Sequence, residues 1–246
     1  MARACDRTAA TAYARLYDRV VAGFRPYQAL LDEIAAIVAR LAAPRTPLRI
    51  LDISCGTGTA AARLAAAGHT VVGVDPVERL IEAARRRHGH GGGLRFHHVD
   101  IAAQPPPGAG SFDALLSMHT LYWHRDPPSV LEACRLALKP TGHGIFLTYG
   151  RPASVIPVFR DVLGGTGLRD AVHALRWLVP TATFELLRSA PPRYLSQEEF
   201  HRTLAAAGFD VTESRQTFLA GMSWLACTER PQTRPPTLRA ADAQGG

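Results

Sequence analysis

The sequence predicts a doubly wound α/β protein with a mostly parallel sheet of seven strands. Three observations carry that expectation. Short apolar runs rich in branched residues alternate with helical periods from Leu48 to Tyr149. Three of those strand runs end in or near an acid, at Asp52, Asp75 and Asp100. Two further strand runs, at 209–215 and 218–228, read as an antiparallel pair at the sheet edge. Strand–helix alternation implies right-handed βαβ crossovers, and ligands on such sheets bind beyond the carboxyl ends of the strands. The three aspartates therefore fall along the edge where a ligand is expected.

Residues 8–41 read as two helices. Tyr13 and Tyr17 share a face of the first, and Pro26 suits the first turn of the second, which continues through Leu30, Leu31, Ile34, Ile37, Val38 and Leu41. The first strand, Leu48–Ile53, passes into a turn carrying Gly56 and Gly58, where the backbone bends tightly and comes close to a ligand. A helix from Thr59 stops at Gly68, and Thr70–Asp75 is the second strand. Glu78–Arg87 is a helix, residues 89–93 a glycine turn, and Leu94–Asp100 the third strand. After a proline–glycine loop at 104–110, Ser111–Ser117 is the fourth strand. Asp126 caps a helix opened by Pro127 and Pro128, and Lys139–Gly144 turns into a fifth strand, Ile145–Tyr149. Residues 151–194 break the alternation with helical segments carrying Phe159, Trp177 and Phe184. Ser196 and Glu199 form a capping box ahead of a helix closed by Gly208, and 229–246 has the composition of a disordered tail.

A chain of 246 residues is long enough for one domain with a full core. Its net charge of +7 raises nucleic acid as a partner, but the cations are dispersed arginines and Lys139 is the only lysine, so that class is set aside. The four cysteines lack metal-ligand spacing and do not make a disulfide framework; no metal is expected. No run reaches membrane-spanning length and no secretory signal opens the chain, which makes the cytoplasm the expected compartment.

The glycines alone leave two cofactors open, because Gly56–Ala61 also fits the looser G-x-G-x-x-A dinucleotide fingerprint. Asp52 separates them. A pyrophosphate cradled by the turn would meet like charge there, whereas a sulfonium or ammonium group would be attracted. The stretch Leu48–Thr59, together with Val72–Pro76, His98–Ile101, Phe112–Leu116 and Leu136–Gly142, resembles the class I S-adenosylmethionine-dependent methyltransferases. The likeness is to their small-molecule branch, which contains the quinone-biosynthesis enzymes. It covers residues 13–150 and, more weakly, 195–228.

That resemblance implies a Rossmann-like fold and S-adenosylmethionine as cofactor. It places Asp52, Gly56 and Gly58 around the methionine part, Asp75 at the ribose hydroxyls, and Asp100 with the Ile101 backbone at the adenine, with Ser54, Cys55, Pro76 and Ser117 as further cofactor-binding residues. Cys55 reads as a small turn residue and not a nucleophile. Tyr17, with Tyr13, either forms a lid over the cofactor or packs its helix. His119 is the first candidate for a base or substrate hydrogen-bond partner and His124 the second; each is otherwise a structural histidine. The implied organisation is a methyltransferase domain over 1–228, with a helical lid at 8–42, a cofactor core at 48–150, an insertion at 151–194 and a closing helix and strand pair at 195–228. The insertion either covers a hydrophobic or aromatic small-molecule acceptor or forms a homodimer contact. An NAD(P)-dependent oxidoreductase and a non-catalytic S-adenosylmethionine-binding protein are the competing readings.

Overall fold

A computed structural model describes residues 24–42, 46–122, 124, 126–152, 155–176, 193–219 and 221–232. Seven strands form one sheet: β1 (Arg49–Ile53), β2 (Thr70–Asp75), β3 (Leu94–His98), β4 (Phe112–Met118), β5 (Leu138–Tyr149), β6 (Asp210–Thr217) and β7 (Ser223–Glu229). Their spatial order is β3-β2-β1-β4-β5-β7-β6. The pairings are parallel from β3 to β5, and β7 runs antiparallel to both β5 and β6. The predicted fold class is the observed one.

Two helical layers cover the sheet. On one face α1 (Arg25–Leu41), α2 (Thr59–Ala66) and α3 (Glu78–His88) pack over Ile50, Val71, Phe96, Leu116 and Leu147. On the other, α4 (Pro127–Ala137) and a later helix, Gln197–Ala206, pack over Leu51, Val72, Leu115 and Phe146. Helix α1 buries Tyr27, Leu30, Leu31, Ile34, Ile37 and Val38. At about 1.5–3 kcal/mol for each fully buried side chain, that stripe outweighs its ion pairs, among them Asp32 to Arg63, Glu33 to Arg215 and Arg40 to Glu213. Those pairs set where α1 lies, tying it to α2 on one side and to β6 on the other.

Several boundaries differ from expectation for local reasons. β3 ends at His98, so Asp100 follows the strand and does not close it. The segment Lys139–Gly144, expected as a turn, lies within β5; there β4 advances from Phe112 to Ala114 while β5 advances from Leu138 to His143, a wide bulge. Arg230 exchanges backbone hydrogen bonds with Thr141 and Gly142 across that bulge, and its guanidinium donates to the carbonyls of Arg135 and Leu138. The tail expected from 229 onward therefore includes ordered residues, because β7 runs through Glu229. The last strand starts at Ser223 and not at Phe218, since Phe218, Leu219 and Gly221 take positive φ in the turn before it. The caps at Asp126 and Ser196 form as expected. Tyr13, Tyr17, Trp177, Phe184 and the tail beyond 232 lie outside the described residues.

Candidate cofactor and acceptor site

The carboxyl edge of β1, β2 and β4 carries the chemistry. Side chains alternate along a strand, so Asp52 shares the face of Ile50, beneath α2. It is 2% exposed, and its Oδ2 has no hydrogen-bond partner. Burial pushes its carboxyl up to about 8; the backbone N–H of Ala61, in the first turn of α2, opposes that and the nearby Asp75 adds to it. Asp75 is also buried. Its Oδ2 accepts from the Gly56 N–H at 3.0 Å and its Oδ1 from the Val77 N–H at 2.9 Å. Burial raises it to about 6 despite those two bonds. Two buried carboxylates on one sheet face, one with an unpartnered oxygen, make a site that favours a cation.

The two glycines of the turn serve different purposes. At Gly56, with φ +57°, an added Cβ would meet nothing within 4 Å, so the backbone there opens onto free space. At Gly58, with φ +79°, the Cβ would lie 2.5 Å from Cζ of Phe96 and 3.1 Å from Cβ of Ala84. Close ligand approach, expected of both, has room at Gly56; at Gly58 the space is filled by the protein's own core. Gly73 is held bare by the same Phe96 ring, 2.7 Å away, and by Sγ of Cys55 at 2.9 Å. The thiol of Cys55 is raised well above its usual range by burial and by the two aspartates, which makes it an inert turn residue. Ser54 precedes it with φ 53°, an uncommon conformation for a residue with a side chain.

Other expected contacts divide. The Asp100 carboxylate is exposed and accepts from the Ala102 N–H at 3.1 Å, closing the turn after β3 beside buried Ile101. Pro76 is exposed, and its carbonyl lies 3.1 Å from Nε2 of His98. Ser117 is paired in register with Ile53, but its hydroxyl belongs to the sheet face opposite Asp52, where it is buried without a partner. Alternation therefore takes the Ser117 side chain away from the Asp52 face, leaving only its backbone at the shared edge.

His119 leaves β4 with φ 55°, its N–H held by the Leu147 carbonyl at 2.8 Å. Thr120 donates to the Ile53 carbonyl and ties this exit to that of β1. The imidazole stacks on Tyr149, centroids 3.9 Å apart and planes 9° apart, with Phe218 at 6.0 Å. Its Nε2 lies 2.9 Å from Oγ of Ser223. The residue is half-buried, and burial lowers its pKa to about 3. Tyr122 meets Tyr149 edge-on at 4.9 Å and Tyr194 at 5.6 Å. Sequence reasoning named His119 but missed Tyr149, Ser223 and Phe218, which define its surroundings. His124 is engaged locally: its Nδ1 accepts from the Asp126 N–H at 3.4 Å, at the start of α4.

A family model described as a methyltransferase domain matches residues 24–214. The chain belongs to that family. A curated relative, the ubiquinone biosynthesis O-methyltransferase of Roseobacter denitrificans, is 32% identical over 183 residues, 74% of this chain and 67% of that protein. The demethylmenaquinone methyltransferase of Clavibacter sepedonicus is 31% identical over 207 residues, 82% of this chain and 81% of that one. The solved magnesium protoporphyrin IX methyltransferase of Synechocystis PCC 6803, with bound S-adenosylhomocysteine, shares the fold at TM-score 0.64 and 16% identity, over 92% of this chain and 99% of its own. This methyltransferase is of class I and uses S-adenosylmethionine. The nicotinamide reading is not favoured. The donor set fits the cofactor: Asp52 has a buried oxygen awaiting a partner, and the Gly56 backbone faces open space.

Both aspartates hold a proton more tightly in the folded chain than in the unfolded one. Their contribution to stability is complete below 3.8 and is lost as pH rises through about 6 for Asp75 and about 8 for Asp52. In cofactor-free protein, the unfolding free energy is expected to fall by up to about 2 kcal/mol between pH 6.5 and 8. Urea titrations at both pH values check this: Asp52→Asn should remove most of the fall, and an unchanged slope would contradict the assignment.

Proposed function

We propose that this methyltransferase moves a methyl group to a small aromatic or hydrophobic acceptor seated against the His119–Tyr149 stack. The observation that carries the reading is this aromatic wall, standing at the carboxyl edge of β4 and β5, next to the edge that holds Asp52 and Asp75. The relatives' names, which concern ubiquinone and demethylmenaquinone, support an acceptor of that class. The cytoplasm, where the cofactor is made, is the compartment we assign, and the dispersed arginines favour a small molecule over nucleic acid.

When bound, S-adenosylmethionine supplies a methyl group made electrophilic by its sulfonium. The chain's own groups position and exclude. Asp75 would accept the ribose hydroxyls, since each of its oxygens keeps a lone pair beyond the Gly56 and Val77 bonds. Asp52 would face the cationic methionine end through its unpartnered oxygen, and the Gly56 backbone would lie alongside. Asp100 and Ile101 would border the adenine. Alignment of the reacting atoms and exclusion of water supply much of the rate enhancement in such in-line transfers.

His119 orients and does not deprotonate. With its pKa near 3 the ring is neutral throughout the working range and too weak a base to take a phenol proton. Its roles are to wall the acceptor and to offer it a hydrogen bond. The test incubates purified protein with methyl-deuterated S-adenosylmethionine and a panel of catechols and hydroquinones, read by mass spectrometry. Labelled product is expected, with no rate inflection traceable to His119. His119→Ala should lower kcat/KM by about 5–30-fold, mostly through acceptor KM. Cofactor binding without turnover on any acceptor would instead support a non-catalytic cofactor-binding protein.

A further inference from the structure

Ser223 interrupts an apolar face. It opens β7, pairs in register with Tyr149 of β5 and Thr217 of β6, and is fully buried. The residues that follow it on the same face, Leu225 and Cys227, belong to the apolar core beneath α1. A hydroxyl in such a place costs free energy unless it is hydrogen-bonded, and an alanine would pack there without that cost. The turn before β7 fixes the position: the Met222 N–H donates to the Phe218 carbonyl at 2.8 Å, and the Gly150 N–H to the Met222 carbonyl at 3.0 Å. Among the described residues, the Ser223 hydroxyl has one hydrogen-bond partner, Nε2 of His119 at 2.9 Å.

That isolation decides which ring nitrogen carries the proton. A serine hydroxyl has one proton to donate, and a neutral imidazole has one donor nitrogen and one acceptor nitrogen. Were Nε2–H to donate to Oγ, the serine proton would be buried with nothing to bond, at the cost of an unmade hydrogen bond. With the hydroxyl donating to Nε2, both groups are satisfied and the imidazole proton lies on Nδ1. Burial, which holds the ring neutral, disfavours the form protonated on both nitrogens. A half-turn of the ring about its Cβ–Cγ bond would keep the stack on Tyr149 but set carbon Cε1 where Nε2 now stands, so the same bond also fixes the ring's orientation. Nδ1 bonds no described residue and is not sealed from solvent.

We propose that Ser223 is a positioning residue that holds His119 as its Nδ1–H tautomer, so that the site offers the methyl acceptor a hydrogen-bond donor and selects a molecule with an oxygen lone pair at that point. The selection rests on the acceptor sitting against the His119–Tyr149 stack. In a catechol, the oxygen beside the one that is methylated fits the role; a group presenting only N–H or a positive charge would leave Nδ1–H unpaired. The test is nitrogen NMR of the isotopically labelled full chain at neutral pH, with the His119 signals assigned by their loss in His119→Ala. A protonated Nδ1 and a bare Nε2 are expected. A proton on Nε2 overturns the proposal, whatever the acceptor. Ser223→Ala should populate the Nε2–H form and raise the KM for catechol by about 3–10-fold, with kcat changed by less than about twofold. Ser223→Thr, which keeps the hydroxyl, should restore both readouts. An unchanged tautomer in folded Ser223→Ala protein overturns the proposal, as does a loss confined to kcat. Should neither variant fold, the wild-type spectrum alone decides. Nδ1–H in wild-type protein that methylates no catechol would uphold the tautomer and strike the acceptor reading.

Discussion

Gly58→Ala is expected to destabilise the protein by about 2–4 kcal/mol. Two costs combine. The residue holds φ +79° as the N-cap of α2, a conformation that a side chain strains. The new Cβ would also arrive 2.5 Å from the Phe96 ring. That ring cannot retreat, because Phe96 is fully buried, rests against Gly73 on its other contact, and has its carbonyl held by the Arg85 guanidinium at 2.6 Å. Calorimetry should show a loss in Tm of roughly 5–15 °C. Gly56→Ala serves as the contrast. Its Cβ meets open space, so only the backbone cost applies, about 1 kcal/mol, while cofactor affinity should suffer more than stability. Equal destabilisation by the two substitutions would refute the division of labour between these glycines.

Asp75→Ala is expected to weaken S-adenosylmethionine binding by about 1.5–3 kcal/mol, roughly 10–150-fold, the range for losing hydrogen bonds to a charged group. The carboxylate has two duties. It holds the Gly56 and Val77 N–H groups, and so shapes the turn, and it offers its remaining lone pairs to the ribose. Asp75→Asn separates them. The amide keeps one acceptor for the turn but loses the bidentate acceptor for two hydroxyls, so affinity should fall nearly as far while the thermal midpoint moves less. Full affinity in a folded Asp75→Ala protein would remove the ribose role.

The parts of this site that are local in sequence were legible in it. A buried strand ending in Asp52, a turn with two glycines and a helix start lie within a dozen residues, and their chemistry follows from strand burial and turn geometry alone. Asp75 was legible for the same reason, as the last residue of a strand run. The reason for Gly58 was not, because it depends on Phe96 arriving from another strand. The environment of His119 was hidden too: Ser223 is 104 residues away, and only the antiparallel return of β7 beside β5 brings it within 2.9 Å. The packing of His119 against Tyr149 and Phe218 is likewise a tertiary fact, and the burial that lowers its pKa could not be read from the sequence beside the expectation of a base. The same holds for β5, where Lys139–Gly144 has turn composition but is drawn into the strand by pairing near Arg230.

The central claim is that the Asp52–Asp75 edge selects a cationic, ribose-bearing cofactor. The most direct measurement is calorimetric titration of the wild-type chain with S-adenosylmethionine, S-adenosylhomocysteine and NADPH, side by side. Binding of the first two with no response to the third is the predicted result. Saturable binding of NADPH, or silence toward all three by folded protein, would contradict the account.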